Sequence, residues 1–301
     1  MDRRQFGRTA VALGGAWPVA RALGYAEPTQ KNLGQERAER WQAIEASVGG
    51  RLGVAVLDTA SGELAGHRLD ERFPMCSTFK FLAAALVLAR VDAGQERLDR
   101  RIVVTREALL KWAPVTSRHV GGAGMTVAEL CEAAITVSDN TAANLLLASA
   151  GGPAGVTAFA RRIGDIATRL DRNEPSLNTS IPGDPRDTST PRAMAQTLRT
   201  VLLGNALSDA GRAQIVAWMC ANKTGAHRLR AGVPRDWRVA DKTGTGDLGS
   251  TNDVGVLWPP GRAPLAVVAY LTDCKASDDA REAALARVAR SVAGGWALHA
   301  S

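Results

Sequence analysis

The 301-residue sequence predicts an α+β fold. An antiparallel sheet built from both ends of the chain carries flanking helices and receives an all-helical insertion. Three observations predict it. Apolar or alternating runs of strand length cluster at the two ends, at 52–58 and 63–69 and again at 237–243, 253–258 and 265–272. Between about 92 and 209 the apolar residues recur at helical spacing. Long helical patterns at 30–48 and 278–298 precede the first strand and follow the last. The economical architecture is one sheet interrupted after its second strand.

The elements follow in order. The chain opens on Arg3-Arg4-Gln5-Phe6 and a modestly apolar run over 9–22, broken by Pro18 and Arg21. That run is shorter than the roughly 20 residues of a spanning helix. With small residues at Gly24 and Ala26 it reads as a cleaved export signal over 1–26, of twin-arginine type, directing the protein to the periplasm. Residues 27–70 and 221–301 are assigned to the sheet domain, and 71–220 to the helical domain. In the helix over 30–48, Leu33, Trp41, Ile44 and Val48 form the apolar side, and Gly49-Gly50 stops it. Turn residues 59–62 join the first two strands. Apolar-periodic segments at 127–137, 141–150, 156–163, 193–203 and 210–221 make the insertion. Between 169 and 191 the period fails, and Pro175, Pro182, Gly183 and Pro185 mark a long loop. A loop of that length inside a compact domain is usually functional.

Composition excludes several function classes. With 46% hydrophobic and 22% charged residues the chain is globular. Its net charge of +7 falls to about +4 without the leader, and the rest has no basic run, so no nucleic-acid partner is expected. Cys76, Cys131, Cys220 and Cys274 are too far apart for a zinc knuckle or a redox pair, and the four histidines are scattered. No metal or other cofactor is expected, and the thiols are expected to be mostly free and buried. No segment after the leader has transmembrane length, so no membrane association is expected.

Four stretches carry chemistry. In Pro74-Met75-Cys76-Ser77-Thr78-Phe79-Lys80, a helix start puts the Ser77 hydroxyl three residues from the Lys80 amine, on one face. Serine needs a neighbouring base to become a nucleophile, and a buried lysine can be one. Ser138-Asp139-Asn140 falls in a polar break between helices, where it presents a hydroxyl and an amide to a cleft or simply caps the next helix. In the long loop, Glu174 and Asn178 stand four apart, able to hold a water between them with Glu174 as its base. Arg172 and Asp187 make a plausible clasp for that loop, or a solvated surface pair. Finally, Lys242-Thr243-Gly244-Thr245-Gly246 follows a strand. Lys242 supplies a charge, Thr243 a hydroxyl, Gly244 room for a close ligand, and Thr245 an N–H for an oxyanion. Lys223-Thr224-Gly225 repeats three of these residues but reads as a helix C-terminus with a glycine cap.

Taken together, Ser77-x-x-Lys80, Ser138-Asp139-Asn140, Glu174-x-x-Leu177-Asn178 and Lys242-Thr243-Gly244 resemble the class A serine β-lactamases over essentially the whole mature chain. The resemblance implies the fold those enzymes share with penicillin-binding proteins, and a monomer acting on small-molecule β-lactams. It implies that Ser77 forms an acyl-enzyme and that Glu174, with Asn178, activates the water that hydrolyses it. Lys80 and Glu174 are both candidate bases for acylation. Ser138 would pass a proton to the leaving nitrogen and Asn140 would hold the substrate's side-chain amide. Lys242, Thr243 and Thr245 would hold its carboxylate. Trp112 resembles the aromatic wall of the cleft, and the Glu174–Pro175 bond is expected to be cis. Thr251 stands where many members carry an arginine, and Arg228 resembles the substitute other members supply from a nearby loop. Cys76 resembles a cysteine of carbapenem-hydrolysing members, but its partner position holds Gly246, which leaves carbapenems outside the expected substrates. The alternatives are a β-lactam sensor or a D-alanyl-D-alanine peptidase, either of which would stay acylated.

Overall fold

The computed structural model describes residues 30–297. The expected leader over 1–26, Leu298 and His299 lie outside the described residues, as does the Leu33 side chain. In chain order the strands are β1 (Arg51–Asp58), β2 (Leu64–His67), β3 (Phe73–Pro74), β4 (Arg101–Ile102), β5 (Met125–Thr126), β6 (Thr188–Ser189), β7 (Arg238–Thr245), β8 (Thr251–Trp258) and β9 (Leu265–Thr272). The helices are α1 (Gln30–Val48), α2 (Phe79–Asp92), α3 (Val127–Thr136), α4 (Asn140–Ser149), α5 (Gly152–Arg162), α6 (Pro191–Leu202), α7 (Asp209–Cys220), the single turn α8 (Leu229–Gly232) and α9 (Asp278–Ala297).

The main sheet runs β2-β1-β9-β8-β7, antiparallel throughout. It is therefore assembled from the two ends of the chain. In β9, Val267, Ala269 and Leu271 face Trp41, Leu285 and Val288 of α1 and α9, while Ala266, Val268 and Tyr270 join the core of the helical layer. Both faces are covered, which is why β1 and β9 read as unbroken apolar runs rather than alternating ones. The α2 helix is buried all round from Phe79 to Leu88. A helix apolar on every side belongs in the middle of a unit, and α3, α4, α5 and α7 pack around it.

Local chemistry moved several boundaries. β2 is shorter than its alternating pattern because Arg68 sits at φ +50° and turns the chain. Gly151, in the left-handed region, and Pro153 open α5. Thr190 caps α6 by accepting from the Ala193 N–H. That helix packs on β1 and β9 although it belongs to the middle of the sequence. β3 pairs with β6, placing Phe73 opposite Ser189. This short ladder ties the approach to Ser77 to the exit of the 169–191 loop. The four cysteines are free, with Cys220 half-buried and the others buried. Among the described residues no helix is long and apolar enough to cross a membrane.

Candidate active site

The expected nucleophile lies in a tight turn. Cys76, at φ +47°, begins a 3-10 turn over Cys76–Thr78 that runs directly into α2. Non-glycine residues occupy this region rarely and where the surroundings hold them. Here Asn252 Nδ2 donates to the carbonyls of Pro74 and Met75, at 2.8 and 3.1 Å. Gly244 of β7 presses against the same turn, where an added Cβ would come 2.6 Å from the Met75 carbonyl. Glycine is therefore required at 244 for the strand to lie beside the nucleophile.

Ser77 Oγ donates to Glu174 Oε1 at 3.1 Å. The sequence put the hydroxyl beside Lys80, and the structure adds that the direct partner is the carboxylate. Lys80 Nζ lies 3.0 Å from the same oxygen. It also donates to Asn140 Oδ1 at 2.6 Å, to the Ser138 carbonyl at 2.9 Å and to Ser138 Oγ at 3.2 Å. Burial pushes the Lys80 ammonium below the usual lysine range, and the Glu174 charge works against that. Asn140, with its oxygen committed to Lys80, keeps its amide N–H groups free to donate.

Ser138 sits at φ +59°, which turns both its carbonyl and its hydroxyl toward the lysines. Lys242 Nζ reaches Ser138 Oγ at 3.2 Å from the opposite side. Burial, then the neighbouring Lys80 charge, pushes Lys242 well below its ordinary value. Between Ser138 and Asn140, Asp139 caps α4 at Ala142 N and accepts from the Val115 and Thr116 N–H groups. The capping and site readings of this stretch thus both hold, on different residues.

The 169–191 loop brings in the carboxylate. Asp187 accepts from the N–H groups of Asp171 and Arg172 and from Arg172 Nε, the last at 2.5 Å. Its side chain is 1% exposed, so the clasp is buried rather than a surface pair. The Glu174–Pro175 bond is cis. Asn178 Nδ2 donates to Glu174 Oε2 at 2.5 Å, while Asn178 Oδ1 is buried without a partner. Asn144, which belongs to none of the sequence motifs, brackets Glu174 by donating to its carbonyl and accepting its N–H, at 2.9 and 3.0 Å.

These residues open on a cleft of about 540 Å³ lined by Ser77, Trp112, Ser138, Asn140, Asn178, Thr224, Arg228, Thr243, Gly244, Thr245 and Asp278. Trp112 is 56% exposed at its mouth, anchored through Nε1 to the Val137 carbonyl at 3.1 Å. Arg228 is buried against the far end. It donates to the Gly244 and Asn252 carbonyls, each at 2.9 Å, and to Thr245 Oγ1 at 2.9 Å, and it pairs with Glu282 at 3.1 Å. A second arginine arrives unannounced, since Arg281 Nε donates to Thr251 Oγ1 at 3.0 Å.

One expectation is corrected. The Lys223-Thr224-Gly225 stretch is not a glycine-capped helix end, because α7 stops at Cys220. Gly225 is needed for another reason, as a Cβ there would lie 1.9 Å from Asp241 Oδ2. Thr224 itself reaches the cleft.

The fold and this arrangement define a serine hydrolase of the class A β-lactamase type. Residues 36–296 match the Beta-lactamase enzyme family, and the chain belongs to it. It is 52% identical over 258 residues to β-lactamase CTX-M-8 of Citrobacter amalonaticus, covering 86% of this chain and 88% of that one. It is 45% identical over 295 residues to β-lactamase OXY-1 of Klebsiella oxytoca, covering 98% and 100%. Among solved structures, an ancestral (GNCA) class A β-lactamase superposes with a TM-score of 0.84 at 65% identity, covering 85% of this chain and 98% of that one.

Proposed function

We propose that this enzyme hydrolyses the β-lactam ring of penicillins and cephalosporins through an acyl-enzyme on Ser77, and so confers resistance to them. The observation that carries the mechanism is the contact of Ser77 Oγ with Glu174 Oε1, with Lys80 against the same oxygen. Ser77 Oγ attacks the lactam carbonyl and its proton passes to Glu174, the base it already touches. The N–H groups of Ser77 and Thr245 receive the oxyanion. The C–N bond breaks and Ser138, polarised by Lys80 and Lys242, gives its proton to the leaving nitrogen. The proton that Glu174 took from Ser77 passes through Lys80, which touches both groups, to refill Ser138 Oγ and leave Glu174 ionised again. Glu174 then takes a proton from a water held by the unpartnered Asn178 oxygen, the resulting hydroxide cleaves the ester, and that proton returns to Ser77 Oγ as it leaves. Asn140 donates to the substrate's side-chain carbonyl. Lys242, Thr243, Thr245 and Arg228 face its carboxylate, and Trp112 packs on its body.

Purified protein mixed with benzylpenicillin tests this by ring opening and intact mass together. The expected result is many turnovers with little adduct, and a trapped Ser77 adduct in Glu174→Ala. One persistent stoichiometric adduct on the unaltered protein would instead make it a sensor or a peptidase.

We read residues 27–70 with 221–301 as one domain and 71–220 as the other. The site residues come from both, which supports that division. The protein acts as a monomer and should run with the mass of a single chain in light scattering, a dimer mass overturning that reading. Residues 1–26 carry it to the periplasm by the twin-arginine route. Export blocked by Arg3→Lys with Arg4→Lys supports that route, and unchanged periplasmic activity removes it.

A further inference from the structure

Behind the carboxylate end of the cleft runs a chain of five side chains whose hydrogen-bond polarity can be worked out. The backbone N–H of Thr224 can only donate, and it meets Asn222 at 3.0 Å, so that atom is the amide oxygen. The Asn222 Nδ2 then donates to Asp241 Oδ2 at 2.8 Å. Asp241 is fully buried and its other oxygen accepts from Arg230 Nε at 2.7 Å. With Asn222 fixed in this way, Thr224 Oγ1, 2.8 Å from Asn222 Oδ1, must donate its hydroxyl proton there. Thr224 Oγ1 is also 2.5 Å from Thr243 Oγ1. Its own proton being committed, it accepts from Thr243. In the resting enzyme the Thr243 proton therefore points away from the incoming substrate.

We infer that Thr224 is a positioning residue that lets the Thr243 O–H swing round to donate a hydrogen bond to the substrate carboxylate. This rests on the proposed function above. When the carboxylate arrives, the Thr243 O–H turns to it. The Thr224 O–H then turns from Asn222 to the vacated Thr243 lone pair. Asn222 Oδ1 keeps the Thr224 N–H, so the reversal strands no buried group. Both hydroxyl protons stay on their own oxygens and no bond other than hydrogen bonds is remade. The resulting donor is itself hydrogen-bonded from behind, which strengthens its bond to the carboxylate.

The test compares Thr224→Val and Thr224→Ser with the unaltered enzyme on benzylpenicillin and on a cephalosporin, free and as its carboxylate ester. Thr224→Val should raise KM for both free acids on the order of tenfold with kcat little changed. Thr224→Ser should restore it. Neither variant should change KM for the ester, and both should melt near the unaltered protein. An unchanged KM for the free acids in Thr224→Val, or an equal rise for the ester, overturns the inference. Failure of the unaltered enzyme to turn over either free acid would overturn the proposed function itself.

Discussion

Lys80 and Glu174 form a fully buried ion pair, Nζ to Oε1, and Ser77 donates to the same carboxylate oxygen. The cation therefore holds the base on the nucleophile while donating to Ser138 and Asn140. Lys80→Met keeps the volume and removes the charge. It should cut the rate of acylation by roughly a hundred- to ten-thousandfold. It should also lower stability by about 3–5 kcal/mol, since one charge is left buried alone. Stopped-flow acylation and thermal melting measure the two effects.

Arg172 closes the loop that carries Glu174. In Arg172→Ala the buried Asp187 keeps only its N–H donors. The expected loss is about 2–3 kcal/mol, with new proteolytic cleavage confined to 169–191 and slower deacylation. An unchanged cleavage pattern would show that β3–β6 pairing alone holds the loop.

Arg228 spends two donors on the Gly244 and Asn252 carbonyls and one on Thr245. Arg228→Ala should raise KM for benzylpenicillin on the order of tenfold, more than it lowers kcat. A KM equal to that of the unaltered enzyme would confine this arginine to bracing β7 and β8.

Glu45 fastens α1 to the sheet. Burial raises its pKa, but Arg68, the Leu52 N–H and His67 outweigh that and hold it at about 2. A depressed carboxylate stabilises the fold above its unfolded value and loses that contribution as pH falls through the folded one. The window runs from 4.5 down to about 2. Melting temperature should fall across it more steeply in the unaltered enzyme than in Glu45→Gln, which should be the less stable of the two at pH 7. Parallel pH profiles would remove Glu45 from the account.

The main sheet was legible because β1 and β9 are apolar on both faces and bounded by turn residues, and α2 because it is apolar all round. The site was legible where side chains act within one short segment, as in Ser77 with Lys80 or Glu174 with Asn178. What escaped were partners supplied across the fold. Asn144 is an ordinary helical residue until α4 meets the loop, and Arg281 meets Thr251 only when α9 folds back on β8. Thr224 was hidden by its setting. After an apolar helix, Lys-Thr-Gly looks like a helix end, and nothing local says that Gly225 exists to clear Asp241.

The order of strands in the main sheet sets the order of events in its assembly. β9 is the last strand to be synthesised and the middle one in space, between β1 and β8. Until it exists, the β1–β2 and β7–β8 hairpins have no common neighbour. Its pairing with β1 closes a loop of roughly two hundred residues, an entropically slow step compared with the local helices of the insertion. The emerging chain thus exposes two apolar hairpin edges until the ribosome has released the last of the five strands. A chain ending before Leu265 would keep every residue of the cleft except Asp278 and still have no sheet to hold them.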